Sequence, residues 1–256
     1  MPRWRLLLTD AATGPANMAL DEALMARARS TGEWVLRVYS WSVPTLSLGR
    51  HQTARAAYDP ATLAEAGIAV VRRPTGGRAV LHDREVTYSV TAPAADAGAL
   101  RESYQRINRL LVDGLRSLGV IAEVAETSGA PKPDTTPCFE VPSPGELTAG
   151  GRKLAGSAQW RENGALLQHG SILVDGDQAL VSTLLREPTA PPRAPATLRA
   201  LLGRVPAKVD VASALFDAVR RVEDRHATEL GADAALADEA ARLRRRYENA
   251  TWTWRR

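Results

Sequence analysis

The residues most able to do chemistry in this chain are one cysteine and one lysine. Cys138 is the sole cysteine and lies in the run TTPCFEVPSP. A thiol becomes a strong nucleophile when a nearby cation lowers its pKa, and Lys153, in GRKLAGSAQ, follows closely in sequence. Taken alone, a lone cysteine is more often a small buried hydrophobe, and a lysine among small residues is more often an exposed residue of an edge strand. The Pro-rich setting of Cys138 argues the other way, because loops carried on a rigid scaffold are where nucleophiles tend to sit. The loop leads straight into the segment bearing Lys153, which makes that lysine the natural candidate for the cation.

Two further stretches carry polar groups in suggestive patterns. Arg72 to Asp83 reads RRPTGGRAVLHD, placing Arg73, Gly76, Gly77, Arg78 and His82 in one short segment. Paired glycines allow close backbone approach to a ligand and can expose N–H groups to an oxyanion. A plain hairpin with basic flanks explains the same pattern about as well. Leu167 to Leu173 reads LQHGSIL, and its His169 in isolation reads as a structural histidine. Gly156 and Ser157, beside Lys153, leave room for a ligand and could offer further backbone donors.

Composition narrows the classes. A chain of 256 residues with 45% apolar and 24% charged residues can bury a large core without disulfides or a structural metal. One cysteine excludes a disulfide framework and a cysteine-built zinc site, and four histidines make a histidine metal cluster a poor reading. No apolar run approaches the roughly 20 residues of a membrane helix, and Leu6–Leu8 is too short for the core of a signal peptide. A cytoplasmic protein is expected, with no membrane partner. The net charge of +4 is concentrated near the end of the chain, in Arg242, Arg244, Arg245, Arg246, Arg255 and Arg256. That bias fits a solvated helix face or steering of an acidic partner. No helix-turn-helix, RNP or Cys/His pattern supports nucleic acid as a partner.

The elements that must position these groups alternate between strand and helix. Strands are predicted at Arg3–Leu8, Val35–Ser40, Leu46–Gly49, Ile68–Val71 and Glu85–Thr91, with further strand pieces in Glu146–Asp175 joined by Gly pairs and a Glu-Asn-Gly turn. Helices are predicted at Asn17–Ser30, with Asn17 as N-cap, and at Ala61–Ala66, Leu100–Leu118, Ala179–Leu185, Val211–Leu230 and Ala235–Tyr247. Asp21 and Glu22 read as early acidic residues favoured by the helix dipole. Thr127–Pro144 holds five prolines and reads as a long functional loop, and Pro188–Pro195 reads as a second Pro-rich crossing. Strands mixed with helices, including hairpins, predict an α/β fold with a mixed β-sheet flanked by helices.

The four motifs together, with NMALDEAL and PTLSLGRHQ near the N-terminus, resemble the lipoate–protein ligase and octanoyltransferase family of the biotin/lipoate attachment superfamily. The resemblance runs from Trp4 to about Trp254. It is nearest to the octanoyltransferase branch of Gram-positive type, on CFEVPSPGEL, GRKLAGSAQWR and LQHGSILVD. Arg78 stands where ATP-dependent ligases usually carry a third glycine, and the chain ends after two helices where ligases usually add a domain. The resemblance implies one acyltransferase domain over residues 1–256 with the biotin/lipoate ligase catalytic fold, helices at about 210–250 packed on it, and an apolar acyl tunnel near the Gly-Gly loop. It implies transfer of octanoyl from octanoyl-acyl carrier protein to a lysine of glycine-cleavage H protein or a lipoyl domain, with no cofactor, no metal and a monomeric enzyme. Cys138 is then the acyl carrier, and Lys153 lowers its pKa and shuttles the proton. Gly76–Gly77 or Gly156–Ser157 stabilise the oxyanion, Arg73 and His82 shape the pocket mouth, Arg78 is a further substrate-binding residue, and His169 packs beneath Lys153. An ATP-dependent ligase, a lipoyl-domain amidotransferase and a non-catalytic effector- or nucleic-acid-binding relative stay open as alternatives.

Overall fold

The computed structural model describes residues 2–125, 145–176, 178–189 and 193–255. The chain runs β1 (Trp4–Leu8), α1 (Gly14–Thr31), β2 (Trp34–Tyr39), β3 (Thr45–Leu48), α2 (Pro60–Glu65), β4 (Ala69–Arg72), β5 (Val80–His82), β6 (Glu85–Pro93), α3 (Leu100–Ser117) and β7 (Glu123–Val124). It continues through β8 (Leu147–Ala149), β9 (Arg152–Glu162), β10 (Ala165–Leu173), α4 (Leu180–Thr183), α5 (Leu198–Leu202), α6 (Lys208–Val222), β11 (Thr228–Glu229), α7 (Ala234–Glu248) and α8 (Ala250–Thr253).

Two mixed sheets result. The larger has the order β11-β1-β2-β6-β10-β9-β8-β7, with β11, β1 and β2 parallel and the rest joined antiparallel. The smaller, β4-β3-β5, pairs β4 parallel and β5 antiparallel to β3. The expected α/β fold with a mixed, helix-flanked sheet is therefore what the chain adopts. The turn expected around Asn163 joins β9 to β10: Asn163 and Gly164 both take positive φ, 49° and 78°, as a two-residue type I′ hairpin requires.

Side chains of β2, β6 and β10 alternate between two buried faces. Trp34, Leu36, Val38, Val86 and Val90 join Leu110 and Leu111 of α3 and Leu215 and Val219 of α6 in the main core. The opposite face carries Arg37, Tyr39, Glu85, Thr87, Ser89 and His169, all at most 7% exposed, and meets α1 and the candidate site. The alternation in EVTYSVT thus separates a greasy face from a buried polar one, not from water.

Two boundaries, and the setting of Lys153, differ from expectation. Helix α1 begins at Gly14, not after Asn17, because Pro15 in its first turn suits a helix start. Asn17 lies inside the helix and donates its amide to the carbonyls of Ala12 and Ser40. Helix α6 ends at Val222, short of the expected Leu230. Asp224 there accepts from the backbone N–H groups of Trp4 and His226, and the chain then pairs with β1 as β11. Lys153 is not on a sheet edge, since β9 runs between β8 and β10. Helix α7 packs on α1 through Leu243 and Tyr247 against Met18 and Ala23. Among the described residues no helix is long and apolar enough to cross a membrane.

Candidate active site

Both sheets wall a cavity of about 240 Å³. The smaller sheet contributes Ser47, Val80 and His82, the larger one Tyr39, Thr87, Gly156–Ala158 and His169–Ser171, and α1 contributes Met18. The loop after β4 closes one side with Arg73, Gly77 and Arg78. Seven of the predicted site residues therefore converge on one cavity: Arg73, Gly77, Arg78, His82, Gly156, Ser157 and His169. Gly76 belongs to the same loop.

The Gly-Gly loop is held by charge-assisted bonds. The Arg73 guanidinium donates to the Ser47 carbonyl (2.8 Å), the Gly76 carbonyl (2.7 Å) and the Arg78 carbonyl (2.7 Å). It is 5% exposed and works as a clamp under the loop. Arg72 donates to Gly49, Gln52 and Thr253 carbonyls and ties the loop's root to the C-terminal segment. At Gly49 a side chain has no room, because a Cβ would lie 1.9 Å from the Gly77 carbonyl oxygen. Gly77 itself has φ 90°, a conformation that favours glycine.

Asp21 is the hub behind one wall. It is fully buried and accepts from Arg37 Nη1 (2.8 Å), Ser89 Oγ (2.7 Å), Tyr39 Oη (2.9 Å) and His169 Nδ1 (3.1 Å). Burial pushes its pKa up, but the Arg37 charge and the His169 and Ser89 hydrogen bonds outweigh that, and the carboxyl is held below its ordinary range. Tyr39 is pushed well above the usual phenol range by burial and by Asp21. His169 is shifted down: burial outweighs the pull of Asp21, favouring the neutral ring. With Nδ1–H directed at Asp21, Nε2 accepts from the Thr75 hydroxyl at 2.7 Å. His169 thus props the residue that precedes the Gly-Gly pair. The register sets His169 opposite Ala158, five residues along β9 from Lys153, so its neighbours are Asp21 and Thr75.

His82 is held the same way by a second carboxylate. Its Nδ1 meets Glu85 Oε1 at 2.5 Å, its Nε2 meets Ser47 Oγ at 2.7 Å, and its ring stacks on Trp41 at 3.9 Å. Ser171 and Thr87 also donate to Glu85. The ring lies in the cavity wall with both nitrogens engaged.

Lys153 is 2% exposed, and its Nζ pairs with Glu146 Oε1 at 2.7 Å. The hairpin turn at Gly150–Gly151 brings this pair together by folding β8 onto β9, with Thr148 opposite Lys153. Glu146, not Lys153, is the member that lines the cavity. Strand β8 pairs with β9 only as far as Ala155, so from Gly156 onward the outer edge of β9 has no strand partner among the described residues. Cys138 and the Thr127–Pro144 loop lie outside the described residues. Among the described residues no group of three His, Cys, Asp or Glu side chains is arranged to hold a metal ion.

Sequence reasoning missed Asp21, Glu85, Ser47 and Glu146 as site residues. Asp21 had a signal, since with Met18 and Met25 it shares the buried stripe of α1, where a charge needs a partner. Glu146 had one too, in the Gly-Gly turn that must fold it back toward Lys153. Nothing local marked Ser47, which only the pairing of β3 with β5 brings opposite Val80 and within reach of His82.

The chain belongs to the lipoyl protein ligase A/B catalytic domain family, whose signature matches residues 13–220. It is 47% identical over 199 residues to octanoyltransferase LipM of Kyrpidia tusciae, covering 74% of this chain and 72% of that one. It is 41% identical over 241 residues to octanoyltransferase LipM of Symbiobacterium thermophilum, covering 91% and 86%. A crystal structure of lipoate-protein ligase A bound with ATP shares the fold at a TM-score of 0.81 and 24% identity, covering 99% of each chain.

Proposed function

We propose that this enzyme is a protein octanoyltransferase of lipoate biosynthesis, moving octanoyl from acyl carrier protein to a lysine of glycine-cleavage H protein or a lipoyl domain. Identity of 41–47% to octanoyltransferases over most of the chain supports the reaction. The observation that carries the site is the cavity beneath the Gly-Gly loop with Glu146 in its wall, ion-paired to the buried Lys153. At about 240 Å³ it falls below the roughly 300–1,000 Å³ of pockets for drug-sized ligands and suits a short acyl chain.

The transfer is read as ping-pong. The Cys138 thiolate attacks the thioester carbonyl, the carrier's thiol leaves, and octanoyl rests on Cys138. The amine of the acceptor lysine then attacks and displaces Cys138, giving an amide. Thioester exchange is nearly balanced and amide formation is downhill, so no ATP enters. Lys153 supplies the cation beside the thiol. Backbone donors at Gly76–Gly77 or along the outer edge of β9 at Gly156–Ser157 stabilise the oxyanion. Arg73, His82 and His169 act through the loop and walls they hold.

Reconstitution separates the readings. Octanoyl carrier protein plus H protein, without ATP, is expected to yield octanoylated H protein. Product that forms only with ATP and free lipoate or octanoate, with release of pyrophosphate, would make the enzyme a ligase. Product that forms only from octanoylated H protein and a second lipoyl domain would make it an amidotransferase.

A further inference from the structure

Hydroxyl groups lining the cavity direct their hydrogens into its wall. Tyr39 donates to Asp21 at 2.9 Å, and Thr87 and Ser171 donate to Glu85 at 2.7 and 2.9 Å. Ser47 accepts from Arg73 at 3.1 Å and meets His82 Nε2 at 2.7 Å. The neutral His82 ring keeps its hydrogen on Nδ1, toward Glu85, so Ser47 is the donor to Nε2. Ser157, the cavity hydroxyl on β9, is arranged differently.

A chain of side chains fixes the way Ser157 turns. The Gly145 carbonyl can only accept, so Asn108 gives it the NH2 group and presents Oδ1 to Gln168. Gln168 therefore presents Nε2, which donates to Asn108 Oδ1 at 2.9 Å and to Tyr88 Oη at 2.8 Å. Tyr88 is fully buried, and its Oη meets one other group among the described residues, Ser157 Oγ at 2.7 Å. Burial pushes the Tyr88 pKa up to about 12, so the phenol keeps its hydrogen. A buried donor takes an acceptor where one is in reach, so that hydrogen goes to Ser157 Oγ. Ser157 accepts from Tyr88, and its own hydrogen has no acceptor among the described residues.

The register explains the room this hydroxyl has. Gly170 of β10 lies between Tyr88 and Ser157, opposite both. A Cβ there would lie 2.7 Å from Ser157 Oγ, so only glycine leaves the hydroxyl its place. Tyr104, from the helix that carries Asn108, lines the same cavity. Met18, Trp41 and Val80 give that cavity apolar wall. An acyl group needs both surfaces: apolar wall for its chain and a hydrogen for its carbonyl oxygen, which can only accept.

We propose that Ser157 recognises the acyl carbonyl, its hydroxyl donating a hydrogen bond to the carbonyl oxygen of the group held in the cavity; this rests on the octanoyl-transfer reading above. Ser157 is thereby a specificity-determining residue, one that favours acyl groups over alkyl groups of the same length. Tyr88, Gln168 and Asn108 are positioning residues, because they fix where the Ser157 hydrogen points.

The test measures binding of two unreactive ligands to the full-length enzyme by calorimetry. One is the amide analogue of octanoyl-pantetheine, with NH in place of sulfur, which keeps the carbonyl. The other is S-octyl-pantetheine, which has the same chain and no carbonyl. Ser157→Ala is expected to weaken binding of the amide ~3–10-fold and to change that of the thioether less than ~2-fold. Ser157→Cys, similar in size but a weak donor, is expected to match the alanine variant. Tyr88→Phe, which leaves Ser157 its hydrogen but removes its orientation, is expected to lower the amide preference by a smaller factor, and an unchanged preference removes Tyr88 from the account. Equal losses for the two ligands in Ser157→Ala, or no loss for the amide, overturn the assignment. A wild-type enzyme that binds neither ligand overturns the acyl reading of the cavity and this proposal with it. A wild type that binds both, with Ser157→Ala unchanged toward each, overturns the proposal alone.

Discussion

Replacing Gly49 by alanine should displace the Gly-Gly loop without altering any side chain that does chemistry. The new Cβ would sit 1.9 Å from the Gly77 carbonyl oxygen and 2.9 Å from its carbonyl carbon. Carbon and carbonyl oxygen settle at about 3.3–3.6 Å, so one of the two segments must retreat by more than ~1 Å. Gly49 is held by Arg72, and Arg73 and the Arg50 N–H grip the loop at Gly76, Arg78 and Thr75, so neither moves freely. Gly49 does not use a left-handed conformation, so the alanine backbone is unstrained and the effect is steric. Overpacking of this kind costs ~1–3 kcal/mol, or ~2–12 °C in Tm for a chain of this size. A ~1 Å misplacement of positioning groups lowers turnover by ~100-fold. The assay is octanoyl transfer from carrier protein to H protein, beside calorimetry. Gly76→Ala is the control, because its Cβ meets nothing within 4 Å and its φ is not positive; it should melt within ~1 °C of wild type. A Gly49→Ala enzyme with wild-type Tm and turnover would refute the placement of the loop.

Two other outcomes follow from the buried wall. Asp21→Asn leaves Arg37, itself 1% exposed, without its counter-charge; urea unfolding should show a loss of ~3–5 kcal/mol. The double variant with Arg37→Met should cost less than the two single changes added, and strict additivity would count against the pair. His169 has a folded pKa below the ordinary 6.5, so between the two values the unfolded state binds the extra proton and stability rises with pH. The slope can reach ~1.4 kcal/mol per pH unit. Stability curves from pH 5 to 7 should lose that contribution in His169→Gln, and an unchanged slope would remove burial of His169 as its source.

Much of this arrangement could be read from the sequence, and what could not has physical reasons. The β9–β10 hairpin was legible because Asn163-Gly164 is a turn with one strong solution. The Gly-Gly loop was legible as a close-approach element, though its tight neighbour Gly49 follows β3, a segment distant in sequence that only the folded chain brings near. The polar face of β6 was misleading in kind: Thr87 and Ser89 alternate as solvent-facing residues do, yet they meet Trp41 and Asp21. Asp21 read as a helix-dipole residue because the dipole is local, whereas its partners Arg37, Ser89 and His169 lie on three separate strands. Lys153 was recognised and its burial was not, since propensity favours an exposed lysine and only the Gly150–Gly151 turn delivers Glu146 to pair with it. Short edge strands such as β11 have too few residues to leave a pattern, and a helix continued through Asp224 was the simpler reading.

Intact-mass analysis of the enzyme after incubation with octanoyl carrier protein tests the covalent route most directly. Without ATP, the wild type is expected to gain one octanoyl group, which peptide mapping assigns to Cys138, and Cys138→Ser is expected to gain none and to transfer none. Full octanoyl transfer by Cys138→Ser, or wild-type turnover with no octanoyl ever found on the thiol, would contradict it.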